Sequence, residues 1–476
     1  MAQTSKQNQQ NQQDNQYNVV IISGVILLGA FLTFLNSTFM NVALPDIMKE
    51  LNVSVSTVQW LSTGYMLATG IIVPFTAFLI DRLKTRTLFF IAMGIFSAGT
   101  LIGAFASNFT MLLLARLTQG IAGGIMTSLM QTVFMIIFPK DKRGFAMGIV
   151  GIVTAFAPAI GPTLSGWIIN HYAWRYLFYV IVPFAILDLI LGVFLLKNVT
   201  GGRKVSASIL SFIASTIGFG ALLYGFSNAG NASWLSASVY GPLIIGIVFI
   251  GFFVYRQLNM DEPMLDLAVF KSKVFTFSTI IVMITYAALI SSELILPMYL
   301  ENVKGYSAFD TGLILMPGAI VMGIANPITG KLFDKYGPRI LALTGLLLLT
   351  IGNIGLSFLT VSTTSLYVIL LYALRMLGIS MTMMPLTTSG LNTLERRLYS
   401  HGNAANNTLR QVAGSIGSSI IITIMSKASA SSGITDPLKA SVHGMNISFA
   451  CTAGLTFAGL IIAFLVVKNQ KVVKDK

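Results

Sequence analysis

Fourteen stretches of about twenty residues in this chain are apolar enough to cross a bilayer. They lie near 19–42, 57–80, 87–106, 111–135, 144–168, 176–196, 206–226, 239–255, 275–299, 311–332, 340–358, 365–386, 406–426 and 447–467. Only 10% of the 476 residues are charged, against roughly 25% in soluble domains, so an aqueous surface cannot be built. An outer-membrane barrel would read as short alternating strands, and that alternation is missing. The chain is therefore read as an all-α membrane protein.

The net charge of +14 is an orientation signal, not a nucleic-acid one, because Lys and Arg collect in alternate loops. With the N-terminus in the cytoplasm, 22 of the 30 fall in inner loops or tails. Examples are Arg82, Lys84 and Arg86, then Lys140, Lys142 and Arg143, then Lys331, Lys335 and Arg339. An even number of spans puts both termini inside. Met1–Asn18 is rich in Gln and Asn and lacks the basic, apolar and small-residue pattern of a cleaved signal, so 1–18 is expected to be a disordered cytoplasmic tail. Residues 468–476 form a basic cytoplasmic tail.

A repeat divides the chain. Ala77-Phe-Leu79-Ile-Asp81-Arg82 follows the second span, and Gly330-Lys-Leu332-Phe-Asp334-Lys335 follows the tenth. Each is followed by an in-span arginine, Arg116 and Arg375. Internal repeats are the build plan of secondary transporters. The expected organisation is a six-helix bundle over 19–196, two inserted helices over 206–255 and a second six-helix bundle over 275–467.

Five motifs in order resemble the major facilitator superfamily, and within it the fourteen-span drug:proton antiporters, with similarity to lincomycin-resistance efflux proteins. G-x-L-x-D-x-x-G-x-R is complete at Gly330, Leu332, Asp334, Gly337 and Arg339. In the first half Asp81, Arg82 and Arg86 remain, but Ala77 and Lys84 replace the glycines. The fourth span carries Arg116, Gln119 and Gly120, like R-x-x-Q-G. The fifth carries Pro158, Gly161, Pro162 and Gly166, close to the antiporter motif P-x-x-G-P-x-x-G-G. Asn36, Thr38, Asn41 and Pro45 match D-x-T-x-x-N-V-A-L-P except at its acid.

The resemblance implies a major facilitator fold working by alternating access. Asp81 and Asp334 would clasp the inner face by accepting hydrogen bonds from a helix N-terminus and pairing with Arg or Lys; the competing reading is a solvated loop charge. The fifth-span Gly and Pro let helices approach closely and disturb the backbone ladder. Asn36, Thr38, Asn41, Gln119 and Arg375 are candidates for the substrate cavity. Arg116 is implied to take part in proton transfer. Arg410, near the inner end of its span, reads as a snorkelling residue.

Intramembrane acids are functional by default. Asp188 and Glu293 are the two well inside spans. Glu293 follows Ser291 and Ser292, with Pro297 four residues on, and is the preferred coupling acid; Asp188 has apolar neighbours. Because neither Asn36 nor Ser37 is acidic, neutral or weakly charged substrates fit better than dications.

The function expected is efflux of hydrophobic or amphipathic compounds, possibly including lincosamide-like drugs, in exchange for protons. The alternative is export of an endogenous lipid, metabolite or signalling molecule. There is no G-x-x-x-x-G-K-[ST] run for nucleotide. Cys451 is alone and His171, His401 and His443 are scattered, so neither a metal, a cofactor nor an enzymatic site is expected. The partners expected are a small substrate, protons and the bilayer of a bacterial plasma membrane, with the protein a monomer.

Overall fold

The computed structural model describes residues 18–200, 202, 208–229 and 233–468. The expected tails lie outside this set apart from Asn18 and Lys468, as do the side chains of Asn41 and Pro158. Fourteen long helices follow one another: α1 Val19–Glu50, α2 Trp60–Arg82, α3 Thr85–Ala104, α4 Phe109–Ile137, α5 Arg143–His171, α6 Tyr176–Leu195 and α7 Ile209–Ala229. Then come α8 Ala237–Leu258, α9 Lys273–Met298, α10 Ala308–Tyr336, α11 Pro338–Leu356, α12 Ser365–Asn392, α13 Tyr399–Ala430 and α14 Pro437–Val466. All fourteen are long and apolar enough to span a membrane.

Lipid offers a backbone no hydrogen-bond partner, so a spanning segment must satisfy its own amides, which the helix does. The apolar residues run around each helix and not along one stripe, as in membrane spans. On α8, Ile244, Ile247, Val248 and Phe252 stay exposed, the surface a helix offers to acyl chains. The ends are capped by polar side chains. Asn108 accepts from the Met111 amide at 2.9 Å, and Asp436 from the Leu438 amide at 3.0 Å. Between α10 and α11, Gly337 takes φ +78° and Pro338 opens the next helix, a left-handed turn that a Cβ would strain.

Several helices exceed their hydropathy-based limits, among them α1, which runs to Glu50, and α14, which begins at Pro437. α12 continues to Asn392 and α13 begins at Tyr399, not near 406. The first turns of α13 carry Ser400, His401, Asn403, Asn406 and Asn407. These lower hydropathy, yet they are buried against other helices.

Within the first six helices, α1 packs on α4, α5 and α6, α2 on α4, and α3 on α4 and α6. Within the last six, α9 packs on α12, α13 and α14, α10 on α12, and α11 on α12 and α14. The two sets meet through α5 on α10, α2 on α13, α12 on α5 and α4 on α13. The pair α7–α8 stands outside, with α7 laid across both α2 and α13. Trp60 of α2 stacks on Tyr224 of α7 at 5.7 Å, and Trp234 donates to Thr423 of α13 at 2.9 Å. At the end opposite the basic loops, Arg175 bonds Glu50 at 2.5 Å and Trp174 donates to its other oxygen at 2.7 Å. The Arg175 guanidinium holds the Glu50 carboxyl below the usual glutamate range.

Candidate gating and substrate site

At the end that carries the basic loops, the two sets of helices are joined by polar contacts. Asp334, at the end of α10, accepts hydrogen bonds from the backbone amides of Gly144 and Phe145, at 2.8 and 2.9 Å. Those amides belong to the first turn of α5, where unpaired N–H groups and the helix dipole favour an anion. The approach is possible because Gly144 and Gly330 face each other; a Cβ on either would meet the other's backbone. Next to it, Arg143 donates to Asn392 at 3.1 Å and to the Tyr399 hydroxyl at 2.8 Å.

Asp81 holds the matching place in the first half. It accepts from the Ser400 hydroxyl at 2.7 Å and faces His401 Nε2 at 3.3 Å, at the start of α13. His401 Nδ1 accepts from the Asp266 amide at 2.9 Å. That bond fixes the proton on Nε2, so the imidazole donates to Asp81 while tying in the segment between α8 and α9. Deeper, Asn403 donates to Thr132 at 3.1 Å and Asn407 to Gln131 at 2.8 Å. Among the described residues, all side-chain hydrogen bonds between the first six and last six helices lie toward this end. An exposed ion pair contributes about 0–1 kcal/mol, whereas hydrogen bonds to charged groups contribute roughly 1.5–3 kcal/mol each, so this set, not the surrounding loop charges, holds the end closed.

Other residues of the loop motifs stay within their own half. Arg86 donates to the Val193 carbonyl at 2.7 Å, Arg82 lies over the Phe78 ring and Arg339 over Phe464. Lys or Arg pairing of Asp334, expected from sequence, does not form among the described residues; two backbone amides take that role.

Farther in, Arg116 of α4 is fully buried. It donates to Asn36 Oδ1 at 2.6 Å, Gln119 Oε1 at 3.0 Å and the Leu61 carbonyl at 3.2 Å. Its Cζ sits 4.5 Å from the Tyr65 ring centre. Gln119 passes the chain on to Thr100 at 3.0 Å. Among the described residues no carboxylate pairs with Arg116, and Nη2 has no partner. Thus Asn36, Arg116 and Gln119 are brought together in one buried cluster. Thr38 bonds back to the Leu35 carbonyl and presses against Gly161 of α5, where a Cβ would overlap its hydroxyl. A Cβ on Gly312 of α10 would meet Pro162 at 3.8 Å, while one on Gly166 would find only loose neighbours. α5 nonetheless runs unbroken through this motif.

The second half has its own layer. Arg375 of α12 is fully buried and donates to the Ala288 carbonyl at 2.9 Å, leaving Nε and Nη1 without partners. Glu293 lies within electrostatic reach of Arg375, Tyr286 and Tyr372, without a direct ion pair. Asp188 differs: it is fully buried with neither oxygen hydrogen-bonded, against Gly29, Met93 and Met126.

The sequence reading assigns no site role to Arg143, Ser400, His401, Tyr286, Tyr372 or Arg410. The Asn-rich start of α13 was the available signal. Hydropathy discounted it, because a polar turn reads as a loop until something packs on it. Arg410 is not at a helix end: α13 starts eleven residues before it, about 16 Å along the axis.

The comparisons agree with this architecture. The Major Facilitator Superfamily model matches residues 26–418. The chain is 48% identical over 455 residues to the uncharacterized MFS-type transporter YcnB of Bacillus subtilis, covering 96% of each. It is 41% identical over 467 residues to the lincomycin resistance protein LmrB of the same organism, covering 96% of this chain and 97% of that one. Among solved structures, the human organic anion transporter MFSD10 (TETRAN) superimposes with a TM-score of 0.70 at 13% identity, over 94% of this chain and all of that one. The proton:xylose symporter XylE gives 0.66 at 14% identity, over 95% and 96%. Fourteen apolar helices, the paired carboxylate contacts between two sets of six, and these matches establish a multi-pass membrane transporter that belongs to the major facilitator superfamily.

Proposed function

We propose that the chain is a secondary active exporter that moves hydrophobic or amphipathic compounds outward in exchange for protons. The carrying observation is the closed set of contacts at one end, Asp334 on α5 and Asp81 on α13, with Glu293 and the buried arginines beyond it. Such a site can be reached from one side at a time. The helices of 19–196 and 275–467 act as the two rocking bodies, and the pair within 206–255 rides on their seam. In this reading the closed end and both termini face the cytoplasm, which the distribution of basic residues among the loops supports.

Glu293 is the proton carrier of this reading. It lies in the membrane-spanning part of α9, within electrostatic reach of Arg375, and intramembrane acids are functional by default. Proton loss or gain at Glu293 thereby changes the net charge facing Arg375, which biases one arrangement of α9 and α12 over another. The resistance proteins among the relatives support drug-like substrates. Efflux of a compound panel from cells expressing the chain, with and without an uncoupler that collapses the proton gradient, tests the reading. Uphill efflux should vanish with the uncoupler; efflux that persists would exclude proton coupling.

A further inference from the structure

Arg410 is a cation in the membrane-spanning part of α13 that the transport scheme above does not use. Its Cζ lies 5.1 Å from the Tyr286 ring centre, and among the described residues it has no hydrogen bond and no carboxylate partner. It is half-buried, unlike the fully buried Arg116 and Arg375.

Its placement is specific. Asn407, three residues earlier on the same face of the helix, makes the innermost hydrogen bond to the opposite half, through Gln131 of α4. Arg410 is therefore the first charged group beyond the closed contacts, with its guanidinium laid on the aromatic face of α9. Glu293, two turns farther along α9, acts electrostatically on Arg375 and Tyr286 without an ion pair to either arginine among the described residues, and Asp188 is sealed among Gly29, Met93 and Met126.

A guanidinium in low-dielectric surroundings without an acid is unstable unless something neutralises it. A planar guanidinium pairs with a carboxylate through two parallel hydrogen bonds. We propose that Arg410 is the anchor for the carboxylate head of an amphipathic substrate, whose apolar part packs on Tyr286 and the neighbouring apolar helices. The charge of the substrate then supplies the counter-ion that the chain omits. This assignment rests on the exporter reading for its physiological meaning, but not for its test.

The test is binding to the purified full chain in detergent, with three fluorescent probes of one alkyl chain length: a carboxylate, its primary amide and the corresponding alkylammonium. The wild type should bind the carboxylate about tenfold more tightly than the amide, and the ammonium least. Arg410→Gln should bring carboxylate and amide to equal affinity while amide binding persists, which also reports that the variant is folded. Arg410→Lys should keep a weaker preference for the anion. Equal binding of carboxylate and amide by the wild type, tighter binding of the ammonium, or an unchanged preference in Arg410→Gln would overturn the proposal. The wild-type comparison decides even if a variant fails to fold. Binding does not depend on a proton gradient, so loss of uncoupler-sensitive efflux would remove the exporter reading and leave this result standing.

Discussion

Asn36 places its side-chain oxygen 2.6 Å from Nη1 of Arg116, so a neutral amide, where drug antiporters of this resemblance often carry an acid, is the nearest partner of a fully buried guanidinium. The hydrogen bond satisfies a donor without cancelling the charge. Gln119 and the Leu61 carbonyl share the load, and the Tyr65 ring covers one face.

Asn36→Asp should convert this contact into an ion pair with little change in shape. The expected result is a folded protein that gains efflux of monocationic amphiphiles, measured against the wild type with one labelled cation. Asn36→Leu leaves Arg116 short of an acceptor and should lower stability by about 1–3 kcal/mol, read as a drop in melting temperature in detergent.

Asp334→Asn should leave membrane insertion intact and cut transport about tenfold or more. An amide carries no charge for the α5 N-terminus and can face at most one of the two amide hydrogens with its oxygen. The first-half loop has lost its glycines, which on sequence alone makes Asp81 the lesser partner. Its contacts to Ser400 and His401 raise the expectation for Asp81→Asn to a comparable loss. Efflux rates normalised to membrane protein level check both, and full activity in both variants would reduce these carboxylates to local loop contacts.

Glu293→Gln should abolish uphill efflux while substrate still equilibrates down its gradient, measured in proteoliposomes with an imposed proton gradient. Asp188→Asn should keep uphill transport, since the carboxyl sits in an apolar pocket with no donor to lose. The reverse pattern would move proton coupling to Asp188.

Single cysteines at Lys84, Lys142 and Lys335 should react with an impermeant thiol reagent only from the cytoplasmic side, in a Cys451→Ser background. A cysteine at Lys304 should react only from outside. External labelling at Lys142 would reverse the orientation argued from the basic loops.

The number of helices, their type and the correspondence of Asp81 to Asp334 in the repeat are legible in the sequence, because these are properties of length, hydropathy and repeat. A twenty-residue apolar run has one solution in lipid, and a repeated motif marks itself. The start of α13 was not readable. Ser400, His401, Asn403 and Asn407 score as a loop by composition, and only the helices of the opposite half, packed against them, turn them into buried partners. For the same reason Arg410 looked like an end residue until α13 was seen to begin eleven residues earlier. Asp188 and Glu293 looked alike as lone acids in apolar spans. Tertiary structure separated them, sealing Asp188 behind Gly29 and two methionines and setting Glu293 within reach of Arg375. Hydropathy counts what a segment can leave in lipid, but the partner of a buried polar group comes from another helix, and only the fold supplies it.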